Sequence, residues 1–257
     1  MEDALMCFEE ARRLGLDSEE LNENLEKAYL HDNSRSRKKI AFFCGADGSA
    51  FLKDIVAYAR RRFEVRIFEG NTKEQIAELM EWSDVSWFEW CTNLAVIGTH
   101  IDKVCRVIVR LHRYEAYVGW AKEVNWQNVD TLITVGNSFV QKQLRQAVPN
   151  IDAETSIVTI PNGVDLERFE FRERPRGKNL AFVANLRPVK NPMLLIQCME
   201  RLTRIDPDYR LFMAGRWDDP AVGNYLKHIT KQMGLEENVI YQGWQDDING
   251  WFEDKHY

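Results

Sequence analysis

Ile157-Val158-Thr159-Ile160-Pro161-Asn162-Gly163-Val164-Asp165 closes one unit of this chain, and Leu180-Ala181-Phe182-Val183-Ala184-Asn185-Leu186-Arg187-Pro188-Val189-Lys190 opens the next. Ile157 to Ile160 reads as a short buried strand. Pro161 ends it, because proline has no N–H for a ladder, and Asn162-Gly163 suits a turn. A polar, charged run follows from Glu167 to Lys178. Residues 180–184 read as a further buried strand and 191–202 as a helix. The loop between them carries Arg187 and Lys190. Two cations therefore sit between a strand's carboxyl end and a helix, where open α/β sheets bind ligands.

Working outward, the same alternation recurs. Apolar runs at 40–44, 65–68, 84–88, 105–111 and 131–135 predict strands. Helical patterns fill 51–63, 72–82, 92–101 and 137–146. Continuous apolar strands alternating with helices imply a mostly parallel sheet covered on both faces. Downstream, 210–214 reads as a strand ending at Gly215, 220–233 as a helix with Gly234 as its cap, and 239–241 as a strand before Gln242-Gly243-Trp244. A last helix opens at Asp247. Three strands in the final stretch make a small doubly wound domain, so it reads as incomplete. At the other end, Ala4, Leu5, Phe8, Ala11 and Leu14, then Leu21, Leu25, Ala28 and Tyr29, recur at helical spacing. They predict two helices ahead of a polar, basic linker, His31 to Lys39.

The bulk numbers narrow the function classes. In 257 residues, a 45% hydrophobic fraction is enough for a real core, which argues against disorder. A net charge of −6 argues against a nucleic-acid binder, which needs a basic surface. Five cysteines, none at Cys-x-x-Cys spacing, argue against a disulfide framework or a zinc site and favour a reducing cytoplasm. Acids at Glu2, Asp3, Glu9 and Glu10 stand where a signal peptide needs basic and then apolar residues. No apolar run is long enough to span a bilayer. Peripheral membrane contact stays open. Asp206-Pro207-Asp208 resembles a metal-holding Asp-x-Asp, but its place between a helix and a strand makes it a turn.

Three stretches together resemble the retaining glycosyltransferases of family 4 (glycosyl transferases group 1). They are Ile160-Pro161-Asn162-Gly163-Val164-Asp165-Leu166-Glu167-Arg168-Phe169, then Val183 to Pro192, then Leu211-Phe212-Met213-Ala214-Gly215 followed by Val239-Ile240-Tyr241-Gln242-Gly243-Trp244. Val107-Ile108-Val109-Arg110-Leu111-His112 and Thr131 to Ser138 are similar to later strands of that family's acceptor domain. The resemblance covers roughly residues 38 to 257. It implies the GT-B fold, an α/β pair of Rossmann-like parallel-sheet domains. The expected divisions are a helical extension and linker over 1–35, an acceptor-side domain over 36–163 and a partial nucleotide-sugar domain over 164–257.

The resemblance also implies a chemistry. A sugar would leave a nucleoside diphosphate for an acceptor with its anomeric configuration retained, and side-chain cations would stabilise the departing pyrophosphate without a metal. No cofactor is implied beyond the nucleotide-sugar co-substrate, and the acceptor (glycan, lipid-linked or protein) is left open. Lys190 matches the family's loop lysine. Asn185 stands where an arginine is expected, with Arg187 two residues on as its substitute, so these three form the candidate pyrophosphate site. Gly215, Arg216, Gly243 and Trp244 fall in the nucleotide and donor loops. His112 resembles the histidine facing the donor sugar and is the candidate catalytic residue. Gly45 and Gly48 match the first cleft loop; Gly45-x-x-Gly48 is too short for a Gly-x-Gly-x-x-Gly fingerprint. The family's Glu-containing motif would fall beyond Tyr257, so the chain resembles a fragment or a degenerate relative with an exposed sheet edge. Two other readings stand beside this one: a non-catalytic interaction module, and a nucleotide-sugar epimerase.

Overall fold

The computed structural model describes residues 7–8, 11–12, 14–16, 18–33, 37–45, 49–136, 138–169 and 171–257. The chain divides into two compact units, residues 1–162 and 163–257. The second of the two expected amino-terminal helices is Glu19–Asn33. Most of the first, together with linker residues 34–36, Gly48 and Asn137, lies outside the described residues.

The first unit is built on six strands: β1 (Lys39–Phe43), β2 (Glu64–Ile67), β3 (Val85–Glu89), β4 (Arg106–Leu111), β5 (Thr131–Thr134) and β6 (Ser156–Thr159). They lie in the order β2-β1-β3-β4-β5-β6, every pair parallel. Side chains alternate across a strand, and β1 uses both sides for core. Ala41 and Phe43 join one cluster with Ile76, Met80 and Phe88. Ile40 and Phe42 join another with Leu52, Val56 and Ala59 of helix Ser49–Ala59. Burial on both faces explains why the strand is apolar throughout rather than alternating. Helix Lys73–Trp82 starts at a capping box, Thr72 with Gln75, which satisfies two backbone donors reciprocally.

One local expectation is corrected, and one segment without an expectation gains a structure. The helix expected to run to Phe63 ends at Ala59, because Phe63 turns inward and packs on the β1 cluster while its N–H donates to the Ala59 carbonyl. The segment between β4 and β5, which lacks a periodic pattern, folds into short turns at Tyr114–Tyr117, Trp120–Glu123 and Trp126–Asn128. Trp126 anchors them: its Nε1–H donates to the Ala121 carbonyl at 2.8 Å.

The second unit holds β7 (Asn179–Val183), β8 (Arg210–Ala214) and β9 (Val239–Gly243), parallel and in that order. Helices Pro192–Ile205 and Pro220–Gln232 pack Ile196, Met199 and Leu226 against Leu211 and Met213 of β8. Gly234 takes the left-handed φ of 68° that a helix stop requires. The Asp206-Pro207-Asp208 turn holds an ammonium: Lys178 Nζ lies 2.7 Å from Asp206 and 2.8 Å from Asp208. The bare edge expected on this sheet is corrected at β7, where the Asn179 carbonyl accepts the His256 N–H at 2.8 Å and the Tyr257 carbonyl accepts the Ala181 N–H at 2.7 Å. Beneath that pairing Lys255 is buried, its ammonium 4.2 Å from the centre of the Phe212 ring and 4.9 Å from that of Trp251.

Candidate functional site

In the second unit the carboxyl ends of β7, β8 and β9 are drawn together by backbone bonds. Ala184 N–H donates to Ala214, Gly215 N–H to Gly243 and Leu186 N–H to Arg216, at 3.0, 2.8 and 2.7 Å. The approach is so close that only glycine fits at 215. Its φ is 139°, and a Cβ there would meet the Ala184 oxygen at 1.7 Å. Gly243 also has a positive φ, 69°, which re-aims the chain toward Trp244. Trp244 is 55% exposed, its Nε1–H donates to Asp246, and the Arg216 guanidinium lies 4.5 Å from its ring centre. The structure thus gathers Asn185, Gly215, Arg216, Gly243 and Trp244 at one end of one sheet.

The loop after β7 carries the cations. Pro188–Lys190 forms a single tight turn, and Asn191, at φ 51°, accepts the Leu194 N–H and caps helix Pro192–Ile205. Lys190 is exposed on that turn, just ahead of the helix amino terminus, where anions are favoured. Arg187 is also exposed but engaged, its Nε 3.4 Å from Asp218. Asn185 is exposed, with no positive charge to offer.

In the first unit His112 follows β4 and is 94% buried, with 6% of its surface exposed. Sequence reasoning missed the residues around it. Glu89, the last residue of β3, is 1% exposed. Its Oε1 accepts from His112 Nε2 at 2.8 Å and from Arg110 Nη1 at 2.9 Å, and its Oε2 from Trp87 Nε1 at 2.9 Å. Arg110 Nη2 donates to the Asn162 side-chain oxygen. Trp90 stacks on the His112 ring at 3.8 Å between centres, 18° from parallel, with a left-handed φ of 72°. Glu115 is fully buried. Its Oε1 accepts the backbone N–H groups of Cys91 and His112, while Oε2 has no hydrogen-bond partner among the described residues. Burial raises the Glu115 carboxyl above its ordinary range, against the lowering effect of those N–H donors. Burial also pushes the Cys91 thiol up, which makes it an inert core residue.

The remaining candidates are less informative. Gly45 is exposed, and among the described residues a Cβ there would meet nothing within 4 Å. Gly48 lies outside the described residues. Among the described residues no three His, Cys, Asp or Glu side chains are grouped as a metal site, and no helix is long and apolar enough to cross a membrane. A concavity of about 230 Å³ in the second unit, lined by Phe169, Arg172, Arg174, Asn249, Phe252 and Glu253, includes none of the candidate residues. The gathered strand ends, with the exposed Gly243 and the exposed cations Arg187, Lys190 and Arg216, are the better candidate on chemistry.

Residues 164–253 match the sequence profile of the family described as Glycosyl transferases group 1. No curated protein sequence matches the chain. Among solved structures, HepE of Anabaena in complex with UDP and glucose aligns with a TM-score of 0.60 at 14% identity, over 84% of this chain and 72% of that one. A glycosyltransferase from Rickettsia africae gives 0.59 at 14% identity, over 86% and 72%. The pneumococcal O-GlcNAc transferase GtfA, in complex with UDP and GlcNAc, gives 0.54 at 14% identity, over 69% and 37%. The chain therefore has a GT-B-like α/β fold, and its second unit carries a Glycosyl transferases group 1 domain.

Proposed function

We propose that this chain is a glycosyltransferase that moves a sugar from a nucleoside-diphosphate donor to an acceptor, with retention and without a divalent metal. One observation carries the reading. Arg216, Gly243 and Trp244 converge with the glycine-enforced approach at Gly215, beside the Lys190 loop, inside the stretch that matches the family profile. In this reading the exposed strand-end backbone admits the donor, and the Trp244 indole offers a face for the base. Lys190 and the amino terminus of helix Pro192–Ile205 meet the pyrophosphate. Charge builds on that pyrophosphate as the glycosidic bond breaks, and fixed cations and N–H groups lower the barrier by stabilising it. Arg187 joins them once it leaves Asp218. In the first unit the same reading gives His112 the sugar-facing role.

HepE and GtfA were solved with UDP, so UDP is the first ligand to titrate by calorimetry, with GDP and the sugar conjugates of both as comparators. The expected result is binding of one nucleotide that EDTA leaves unchanged and Lys190→Ala weakens at least tenfold, about 1.4 kcal/mol. Equal affinity in the variant refutes the role of Lys190. The anomeric configuration of the product, read by proton NMR, tests retention.

A second reading, a non-catalytic module, is favoured by Asn185 and by the engagement of Arg187 with Asp218. A cooperatively folded chain that binds no nucleotide supports it. An epimerase instead would convert the sugar nucleotide with no acceptor present.

A further inference from the structure

We propose that Glu89 is a positioning residue, whose single oxygen Oε1 orients the His112 imidazole and, through Arg110, fixes Asn162 where the chain leaves the first unit. The functional half of this rests on the glycosyl-transfer reading given above for His112; the geometric half stands on its own.

Glu89 has almost no contact with water, and a carboxylate in such a place is costly unless its lone pairs are met. Here they are met by three donors from three side chains, His112, Arg110 and Trp87. Stability alone does not account for the arrangement, because buried ionic clusters are often matched or bettered by apolar residues of similar volume. Its location supplies the reason. The strand order reverses at β1, between β2 and β3, and the carboxyl ends of strands at such a reversal are where α/β sheets place ligands. Glu89 ends β3 at that reversal. The next residue, Trp90, holds a left-handed backbone that a bulky side chain rarely adopts, and so lays its ring flat on His112.

These contacts define one imidazole. The carboxylate oxygen demands a proton on Nε2, and the Trp90 ring holds the imidazole plane; a half-turn of the imidazole keeps that stack but loses the bond to Glu89, so Glu89 selects the orientation. Arg110 uses one nitrogen on Glu89 and the other on Asn162, the last residue of the first unit. The orientation of His112 and the anchorage of Asn162 therefore share one acceptor atom.

The test has two arms on the full chain. Long-range proton–nitrogen NMR correlations report the protonated nitrogen of His112 whether or not any nucleotide binds. The proton is expected on Nε2 in the native chain, and a mixture of tautomers is expected in the paired variant Glu89→Leu/Arg110→Met, which removes both charges together and keeps the core apolar. A native His112 protonated on Nδ1 alone, or averaging between tautomers, overturns the proposal. The second arm measures turnover of the donor identified by titration. Glu89→Gln should lower kcat at least tenfold with donor KM unchanged within twofold, and adding His112→Ala should cause no further loss. Additive losses, or a shift confined to KM, overturn the positioning role. If Glu89→Gln does not fold, the paired variant carries the kinetic comparison. Failure of the native chain to bind any nucleotide sinks the transferase reading and leaves the NMR arm to decide the geometry.

Discussion

Replacing Gly215 with alanine adds one methyl group where the structure has no space for it. The new Cβ would lie 1.7 Å from the Ala184 carbonyl oxygen. A carbon–oxygen contact settles at about 3.3 Å or more, so the two chain segments must part by roughly 1.6 Å. The obstacle is backbone and cannot swing away as a side-chain tip would. Two hydrogen bonds flank the contact, from Ala184 N–H to Ala214 and from Leu186 N–H to Arg216. Each contributes about 1 kcal/mol net, and the φ of 139° itself costs a non-glycine residue about 1–3 kcal/mol. The sum is about 3–5 kcal/mol. A domain of this size loses about 4–8 °C of Tm per kcal/mol, so the second unit should melt roughly 12–40 °C lower. Scanning calorimetry of the full chain reads it directly, because the transition of residues 163–257 should move while that of the first unit stays. A variant whose transitions all lie within ~3 °C of the native ones would show that the strand ends are not held this closely, and the proposed donor surface would fall with them.

Two further outcomes follow from groups described above. The folded chain holds the Glu115 proton more tightly than the unfolded chain does, because burial raises that carboxyl. The associated stability is complete below the unfolded value of about 4.3 and is lost as pH rises toward the folded value. Glu115→Gln should therefore gain stability relative to the native chain as pH rises from about 4.5 to about 8; urea midpoints that differ equally at both pH values contradict this. Asp218→Asn frees Arg187 from a half-exposed pair, the kind worth about 0.2–1 kcal/mol, so affinity for the bound nucleotide should rise about 1.4- to fivefold. No change, or a loss, would mean that Arg187 does not reach the diphosphate.

How much could be read from the chain depended on how far apart the partners stood. The strands were legible because both faces of each central one are buried, which leaves an uninterrupted apolar run such as Ile40 to Phe43. Gly234 and Thr72 were legible because caps are made by neighbours in sequence. The candidates Gly215, Gly243 and Trp244 were placed by resemblance, and the structure adds the contact that makes glycine necessary at 215. The cluster around His112 was not legible. Glu89, Arg110 and Asn162 belong to three different strand ends, and no local spacing links them. A signal was present in two lone charges, Glu89 inside Trp87-Phe88-Glu89-Trp90 and Arg110 inside Val107 to Leu111. A single charge within an apolar strand implies a partner but does not name it. The engagement of Arg187 by Asp218 was hidden for the same reason.

Lys178 touches β8 twice. Its carbonyl accepts the Arg210 N–H at 3.0 Å, and its ammonium sits between Asp206 and Asp208 in the turn just ahead. Together these two grips index β7 against β8 at their amino ends, where Asn179 stands opposite Arg210. A slip of one residue would turn every side chain of β7 to the wrong face, and it would also strand an ammonium away from both carboxylates. The sheet is thus indexed at its amino end by Lys178, while at its carboxyl end the close approach at Gly215 holds the strands together. With register fixed at the amino end, the exposed loop positions beyond that approach, such as Arg187, Lys190 and Trp244, can be tuned for whatever the strand ends hold.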